Sequence, residues 1–335
     1  MKNKLLLFVT SFFSVFCIIM FLAKKNDNIA EFTFLDEENT HQNFDNKNIT
    51  YCDVNDNIHL IMKKSKPGDV ISLLPGIHYT NGIFIKSNTT FIIPDKAILK
   101  LRDSADINKE AFGGIANAVI MAKGSREAPL VNLIIKVYGQ VDGNKKHNSY
   151  ENGGVEGINL SWVKNSMIEG DGIIHSVNGD GVDLDAVTNI IVKDISVINN
   201  GGSGVHFGSP RPIYGSIGNV IVNVKSLNNG FRAKRNGFDL SWPNPNGAVF
   251  VNCLSKDNYR NFEIEAPNSA VFNSKSINTG AVVDDDYFGG ANFVFINGKN
   301  QTNKSWVSRK SIILSKHKLK RFFNIDSPKY LDNLK

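Results

Sequence analysis

The sequence predicts an all-β parallel β-helix, a solenoid in which short strands from successive coils stack on one another. A five-residue pattern of alternating apolar residues recurs at GINLS (157–161), GVDLD (181–185), GVHFG (204–208), GFDLS (237–241) and NFEIE (261–265). Segments of alternating apolar residues separate these copies, and Gly and Asn mark the turns. A repeat of roughly 20–30 residues built from short strands and turns is typical of such solenoids.

The repeats also predict a column of polar side chains on the outside of the solenoid. Successive side chains of a strand point to opposite faces, so Val182 and Leu184 point into the coil and Asp183 points outward. Equivalent residues of neighbouring coils would lie about 4.8 Å apart, one strand spacing. The members of this predicted column are Asn159, Asp183, His206, Asp239 and Glu263.

The composition of this column indicates a functional site. A column that only contacts water would normally include Lys, Ser and Thr, whereas this one holds three carboxylates, a His and an Asn. Stacked carboxylates repel one another and raise each other's pKa, which costs stability unless a site uses the effect. The alternative interpretation, a merely solvated polar face, stays open at this point.

The N-terminal residues 1–25 are predicted to be a signal peptide or a membrane anchor outside the fold. A basic start precedes an apolar run at residues 5–23, and Lys24 and Lys25 close it. The run is longer than the apolar core of a cleaved signal and has no good small-residue cleavage site, which favours an anchor. We therefore expect the body of the protein outside the cytoplasm, anchored to the membrane or secreted.

The rest of the chain divides by composition. Residues 26–50 are polar and predict a linker, residues 51–300 predict the β-helix, and residues 301–335 predict a basic C-terminal segment or cap. At the start of the body, the apolar spacing of residues 52–64 predicts a short helix that covers the open end of the solenoid. We expect a monomer.

The net charge of +6 arises from the C-terminal tail. Residues 299–335 contain ten Lys/Arg and only two acidic residues, Asp326 and Asp332, so the remainder is close to neutral. No zinc-finger, helix-turn-helix or RNA-binding signature accompanies this charge, and nucleic acid is not a predicted partner. The net charge is therefore no evidence for an acidic ligand, and such evidence has to come from charged residues at the candidate site.

Three motifs resemble those of a known enzyme family. Residues 178–183 (NGDGVD) resemble N-T-D-G-[IF]-D, residues 202–209 (GSGVHFGS) resemble G-H-G-I-S-I-G-S, and residues 229–234 (NGFRAK) resemble N-G-x-R-I-K. In this order they resemble glycoside hydrolase family 28, the polygalacturonases. These are pectin-lyase-like enzymes with a right-handed single-stranded parallel β-helix. The opening coils at residues 67–101 and the turn at residues 139–144 resemble the same enzymes.

The resemblance implies a glycosidase that degrades an acidic, uronate-containing polysaccharide without a cofactor. It implies catalytic aspartates in the first motif and a grip on the substrate carboxylate by Arg232 and Lys234. The sequence departs from the family in two places. The further coil that carries an Asp-Asp pair between the first two motifs is missing, and Ser203 stands where the family has its His, with His206 three residues on.

The chemistry of hydrolysis selects the candidate residues. One carboxylic acid must protonate the leaving oxygen, and one carboxylate must activate water. We expect Asp183 to face His206 and Asp239 from neighbouring coils and to act as acid or base ahead of Asp180. The predicted catalytic set is Asp180, Asp183, His206 and Asp239. The predicted substrate-binding set is Asn159, Asp185, Arg232, Lys234, Arg235 and Glu263. No metal site is predicted for a hydrolase.

Two other classes of function stay open. A polysaccharide lyase or a uronate C5-epimerase needs a base and a cation beside the substrate carboxylate, and His206 with the basic loop 232–235 would serve. A lyase could also use calcium, for which Asp183, Asp185 and Asp239 would supply oxygen ligands. The third class is a non-catalytic β-helix that binds glycan.

Overall fold

The structure is a computed structural model, and it describes the body of the chain. The described residues are 49–103, 117–148, 154–208, 218–240, 247–264, 266, 269–279, 287–288, 294–296 and 299–300. The predictions for the N-terminal segment, most of the linker and the C-terminal tail fall outside these ranges and stay predictions. Among the described residues, no helix is long and apolar enough to cross a membrane.

The chain passes repeatedly through three parallel sheets, always in the same order. The first sheet contains β1 (Ile49–Cys52), β2 (Val70–Leu73), β5 (Thr90–Ile93), β8 (Leu130–Val131), β9 (Ile134–Val137), β12 (Val163–Glu169), β15 (Thr188–Lys193), β18 (Asn219–Val222), β21 (Ala248–Val251), β24 (Ala270–Phe272) and β27 (Val294–Ile296). The second contains β3 (Gly76–Thr80), β6 (Ala97–Leu101), β10 (Gln140–Asp142), β13 (Ile173–His175), β16 (Ser196–Ile198), β19 (Lys225–Leu227), β22 (Leu254–Asn258), β25 (Lys275–Thr279) and β28 (Lys299–Asn300). The third contains β4 (Ile83–Phe84), β7 (Asn117–Lys123), β11 (Val155–Ser161), β14 (Val182–Asp185), β17 (Val205–Gly208), β20 (Asn236–Leu240), β23 (Arg260–Ile264) and β26 (Tyr287–Phe288).

Each strand pairs in parallel with the equivalent strand of the next coil. Thus β14 lies between β11 and β17, and β17 lies between β14 and β20. Crossovers between parallel strands are right-handed in nearly all proteins, so the coils of the solenoid wind in a right-handed sense. The predicted all-β, right-handed parallel β-helix is confirmed.

A short helix, α1 (Ile58–Lys64), lies near the N-terminal end of the described coils. Its first turn is capped by Asn57, whose side-chain oxygen accepts a hydrogen bond from the backbone N–H of Leu60 at 3.1 Å. Ile58 and Met62 are buried on its inner face. The helix predicted for residues 52–64 is therefore shorter than expected. The prediction that the helix begins at Cys52 is wrong, because Cys52 ends strand β1 and pairs with β2.

The core fills the inside of the coils, as the alternation of apolar residues predicts. Val182 and Leu184 are buried in one continuous apolar cluster. Phe238 stacks on Phe262 of the next coil with ring centroids 5.0 Å apart, and Phe250 packs edge-on against Phe238 at 5.7 Å. Aromatic pairs in these arrangements stabilise beyond their buried area, so this stack strengthens the coils next to the polar column.

Buried asparagines connect successive coils where the chain leaves the second sheet. The side-chain oxygen of Asn229 accepts hydrogen bonds from the backbone N–H of Asn200 at 2.9 Å and from its side-chain amide at 3.0 Å. Asn258 receives the equivalent pair from Asn229, at 2.8 and 3.1 Å. This ladder satisfies backbone groups that no strand partner could reach. Its signal was present in the sequence, as asparagines 29 residues apart, but it was missed.

We predict that Asn229→Ala lowers the free energy of unfolding by about 2–3 kcal/mol, because it leaves the buried Asn200 N–H without an acceptor. Urea unfolding monitored by circular dichroism measures this change. Asn223→Gly is the control. It removes an exposed amide that bonds Asp194 at 2.8 Å, and glycine keeps the positive φ of 54°. Equal losses for both variants would contradict a structural role for the ladder.

Candidate functional site

The predicted column exists in the register that the sequence indicated. On the third sheet, Asn159 pairs with Asp183, Asp183 with His206, His206 with Asp239, and Asp239 with Glu263. We call these five residues the strand column. Their register follows from the parallel pairing of equivalent strands, which places each residue beside its counterpart one coil away.

The strand column is more enclosed than an open groove. Asn159, Asp183 and Asp239 are only 2%, 5% and 1% exposed, although they lie on the side of the strands opposite the apolar core. His206 is more accessible, with 19% of its side chain exposed. The column is therefore a set of mutually bonded polar groups, and water or a ligand reaches it mainly at its edges.

A second column lies beside the first, and sequence analysis recognised only one of its members as functional. Each of its residues stands three positions before a strand-column residue, either in the first residues of the strand, as for Glu156, Asn236 and Arg260, or in the turn just before it, as for Asp180 and Ser203. We call it the turn column. Its members are Glu156, Asp180, Ser203, Asn236 and Arg260. A signal was available, because a small residue and an apolar residue separate the two polar positions in every copy: EGIN, DGVD, SGVH, NGFD and RNFE.

Strict alternation hides the turn column, since it assigns a residue three positions away to the opposite face. The structure nevertheless brings the two side chains together. The side-chain amide of Asn159 then donates to Glu156 at 2.8 Å, and that of Asn236 donates to Asp239 at 2.8 Å. The chain thus brings both polar positions of each copy to the same side.

His206 is the centre of the site. Its Nδ1 lies 2.8 Å from Asp183 Oδ1 and 3.3 Å from Asp180 Oδ2. Burial opposes the charged imidazolium, but the two carboxylates outweigh it and raise the pKa of His206 well above its ordinary value. His206 is therefore an imidazolium at neutral pH. No described residue hydrogen-bonds its Nε2.

Asp180 is held from two sides. Its Oδ1 accepts a hydrogen bond from the backbone N–H of Ser203, one coil on. Burial alone would raise the pKa of Asp180, but His206, the Ser203 N–H and the more distant Arg235 together lower it below its ordinary value. Asp180 is therefore an ionised carboxylate, and 18% of its side chain is exposed.

Asp183 is more buried than Asp180 and lies closer to His206. Its Oδ1 binds His206, and its Oδ2 accepts a hydrogen bond from the side-chain amide of Asn159 at 2.8 Å. Only 7% of the side chain is exposed. The expectation that Asp183 faces both His206 and Asp239 from neighbouring coils is wrong for Asp239, which lies two coils away because His206 stands between them.

Asp185 lies at the edge of the site in the next outward position of the same strands. It pairs in register with Ser161 on one side and Gly208 on the other, and Lys123 continues that row. Burial and the charge of Asp183 raise the pKa of Asp185 to about 7, while His206 lowers it in part. No described residue donates a hydrogen bond to its carboxyl group.

Glu156 is a second carboxyl group whose pKa is raised. Burial and the charges of Asp183, Asp180 and Asp185 raise its pKa well above the ordinary value, and the hydrogen bond from Asn159 offsets little of this. The site therefore combines carboxyl groups of raised pKa with ionised ones, which is the division that acid–base catalysis requires.

The C-terminal half of the two columns forms a separate hydrogen-bonded group. Asp239 accepts hydrogen bonds from Ser203 at 3.2 Å and from Asn236 at 2.8 Å. Glu263 accepts from Asn236 at 2.6 Å and pairs with Arg260 at 2.5 Å. Asp239 is thus drawn toward Ser203 and Asn236. The carboxylates that gather around one point are Asp180 and Asp183.

A cation could occupy the same point as the His206 proton. Asp180, Asp183 and His206 each place one ligand atom within 4.8 Å of the other two. The three residues predicted as calcium ligands of a lyase, Asp183, Asp185 and Asp239, are not brought together, because His206 stands between Asp183 and Asp239. With His206 protonated, Nδ1 donates to both carboxylates and is not a metal ligand.

The predicted basic loop borders the site through one residue. Arg235 lies 3.7 Å from Asp239 and helps to lower the pKa of Asp180. Arg232 and Lys234 are exposed in the preceding turn. Phe231, which sequence analysis did not consider, is 49% exposed and packs edge-on against Tyr259 with ring centroids 6.4 Å apart.

Two buried oxygens of the strand column lack donors among the described residues, Oδ1 of Asn159 and Oδ1 of Asp239. Leaving a buried acceptor unsatisfied costs about 1–3 kcal/mol, and charged groups cost more. Together with the crowded carboxylates, this makes the column a burden on folding stability. A purely structural purpose does not explain it.

Comparison with known proteins places the chain by its fold alone. No family model matches the sequence, and no curated protein matches it. Among solved structures, the family 28 exopolygalacturonase of Yersinia enterocolitica is 9% identical, with a TM-score of 0.43 over 78% of this chain and 78% of that one. Alginate lyase from a Paenibacillus species is 14% identical, with a TM-score of 0.49 over 78% of this chain and 98% of that one.

A third similar structure is the A-module of a mannuronan C-5 epimerase from Azotobacter vinelandii. It is 11% identical, with a TM-score of 0.37 over 76% of this chain and 93% of that one. The predicted resemblance to pectin-lyase-like β-helix proteins is thus confirmed for the fold. A hydrolase, a lyase and an epimerase stand among the similar structures, so the reaction has to be argued from the groups of this site.

We predict that Gly208→Ala strongly reduces the function of the site. A Cβ at position 208 would collide with Oδ1 of Asp185 and lie 3.2 Å from Cε1 of His206, so Asp185 would be displaced. Gly154→Ala is the matched control, because its Cβ would make only an ordinary contact, 3.6 Å from Cα of Gly179. Polysaccharide turnover or binding by the two variants measures the effect, and equal function would contradict this placement of Asp185.

We predict a pH-dependent gain in stability for Asp185→Asn. A carboxyl group with a raised folded-state pKa favours folding at low pH, and this contribution is lost between its ordinary value, about 4, and about 7. The amide has no such loss. The variant should therefore become progressively more stable relative to the parent protein from pH 4.5 to pH 7.5, as measured by urea unfolding. A difference that is independent of pH would contradict the raised pKa.

Proposed function

We propose that this protein hydrolyses glycosidic bonds of an acidic, uronate-containing polysaccharide, with Asp185 as the general acid and Asp180 as the carboxylate that activates water. Both residues lie at the accessible edge of the group around His206. The observation that carries the proposal is the pairing of a carboxyl group without a hydrogen-bond donor, Asp185, with an ionised carboxylate, Asp180, in one site.

Asp185 has the properties of a general acid. Its pKa of about 7 keeps much of it protonated near neutral pH, where proton transfer is most effective. Its carboxyl group is free of donors among the described residues and lies beside Gly208, where the absence of a side chain leaves room. It can therefore present its proton to a leaving glycosidic oxygen.

Asp180 is a better candidate for the base than Asp183. Its lowered pKa keeps it ionised, and its side chain is 18% exposed, against 7% for Asp183. Asp183 also lies closer to the imidazole, at 2.8 Å from Nδ1 against 3.3 Å for Asp180, and its other oxygen accepts from Asn159. We therefore assign Asp183 a positioning role, because it fixes the imidazole ring and keeps it charged.

His206 and Arg235 supply positive charge for an acidic sugar. The Nε2 of the His206 imidazolium, which has no hydrogen-bond partner among the described residues, can donate to a uronate carboxylate. Arg235 offers a guanidinium that also acts on Asp180. Hydrogen bonds to charged groups are the strong ones in partly buried sites. The substrate class follows from these two cations, together with the exposed Arg232 and Lys234.

A lyase or an epimerase would require His206 in a different protonation state. Elimination or epimerisation requires a base that removes the C5 proton, and an imidazolium with a raised pKa cannot accept one at neutral pH. The unsatisfied oxygens and crowded carboxylates argue against a glycan-binding role without chemistry. Hydrolysis is the reaction that uses the protonated and ionised carboxyl groups together.

We predict that Asp185→Asn and Asp180→Asn each lower kcat/KM by about 100-fold or more, because each removes one half of the acid–base pair. Asp171→Asn, an exposed aspartate in another turn, is the control and should leave kcat/KM unchanged. The assay incubates a panel of uronate polysaccharides and records reducing ends and ultraviolet absorbance together.

The two readouts separate the possible reactions. Hydrolysis raises reducing ends without ultraviolet absorbance, because no unsaturated sugar forms. A rise in both signals would identify a lyase and overturn the proposal. Turnover that survives in both aspartate variants would overturn the assignment of the acid and the base.

A further inference from the structure

A polar trough lies at the N-terminal end of the solenoid, where the second sheet turns into the third. It consists of two cavities of about 590 and 600 Å³ that share Tyr79 and Arg102 as lining residues. Lys100, Asp103, Asn144 and His147 complete one of them. Neither the strand column nor the turn column contributes a residue to it.

We infer that this trough is a distal subsite in which Tyr79 and Arg102 bind a uronate unit of the polysaccharide that reaches the Asp180–Asp185 site. The inference rests on the proposed function for the identity of the polymer. It adds a second point of contact and a length requirement for the substrate, and neither follows from the chemistry at the strand column.

Tyr79 provides the apolar surface of the trough. It points outward from β3, and 48% of it is exposed, although its neighbour His78 is buried. A large exposed aromatic ring that lines a cavity is a common binding feature, because it combines apolar area with few rotatable bonds. The apolar C–H face of a sugar ring is a suitable partner for such a surface.

Arg102 provides the charge. In the cavity of 600 Å³, Lys100 lies 3.2 Å from Asp142 and His147 lies 3.7 Å from Asp103. In the other cavity, Asp56 accepts a hydrogen bond from the backbone N–H of Asp53 at 2.7 Å. No carboxylate of the described residues forms an ion pair with the exposed guanidinium of Arg102. Arginine binds carboxylates with two parallel hydrogen bonds, so a uronate carboxylate fits this group better than a neutral sugar.

The trough and the catalytic group lie on the same line along the solenoid. Tyr79 pairs in register with Lys100, Lys100 with Asp142, and Asp142 with His175, and the turn after His175 leads to Asp180. These three strand spacings amount to about 14 Å. A polymer that follows the turns from Asp180 to Tyr79 must therefore extend over several sugar units.

The other side of the catalytic group carries an equivalent pair. Phe231 is 49% exposed and stands in the same kind of turn as Arg235, after β19. An exposed aromatic residue and an arginine thus stand both before and after the reacting carboxylates. This arrangement suits an acidic polymer that lies along the row of turns between the second and third sheets.

The test measures binding directly by isothermal titration calorimetry, with the Asp185→Asn background used to prevent turnover. The probes are galacturonate and mannuronate oligomers of two and six units, and neutral galactose oligomers of the same lengths. We expect the six-unit uronate to bind more tightly than the two-unit one. Tyr79→Ala and Arg102→Gln should each weaken its binding about tenfold, and the two-unit affinity should not change.

Tyr138→Ala is the control, because Tyr138 is also an exposed tyrosine, at 41%, but lies outside the trough. Unchanged six-unit affinity in both trough variants would overturn the inference, as would equal binding of neutral oligomers or no binding of any probe by the parent background. The reducing-end assay is a separate measurement on the parent protein. If the parent protein does not hydrolyse the uronate polymers while binding depends on Tyr79 and Arg102, the subsite stands and the hydrolase proposal falls. If the parent protein hydrolyses them while binding does not depend on Tyr79 and Arg102, the hydrolase proposal stands and the subsite falls.

Discussion

The ion cluster of His206 with Asp180 and Asp183 determines the charge state of the whole site. Two carboxylates share the Nδ1 proton of one imidazole, at 2.8 and 3.3 Å, and this keeps the ring charged despite its burial. The remaining carboxyl groups then lie beside negative charge that one imidazolium does not fully compensate, and this charge together with burial raises the pKa of Glu156 and raises that of Asp185 to about 7. The proposed division of labour follows from this imbalance.

The solenoid makes such crowding feasible. Each coil supplies one polar residue to the strand column and one to the turn column, and parallel pairing fixes their spacing. The apolar stack around Phe238 and the buried asparagine ladder stabilise the neighbouring turns. A rigid scaffold of this kind can hold charges that would otherwise move apart, at a cost in stability that the rest of the fold must offset.

Sequence reasoning predicted the coil repeat and the register of the strand column because both depend on simple alternation. It could not predict the partners of each carboxylate. Glu156 was missed because alternation assigns a residue three positions before Asn159 to the opposite face, whereas its side chain accepts a hydrogen bond from Asn159. Asp183 was favoured as acid or base, and only its burial and its short 2.8 Å contact with His206 in the structure indicate a positioning role. The predicted start of helix α1 was wrong for a different reason. The apolar spacing that was assigned to the helix includes Cys52, which is equally compatible with the end of strand β1.

The most direct test of the central claim is the protonation state of His206 itself. Nitrogen-15 NMR of the histidine side chains, with His206 assigned by comparison with His206→Gln, reports whether both ring nitrogens carry protons. An imidazolium that persists at pH 7.5, above the ordinary histidine pKa of about 6.5, is the expected result. A neutral His206 at pH 7.5 would contradict the cluster, and with it the protonation states assigned to Asp180 and Asp185. It would also return His206 to the list of candidate bases, which is the chemistry of a lyase or an epimerase.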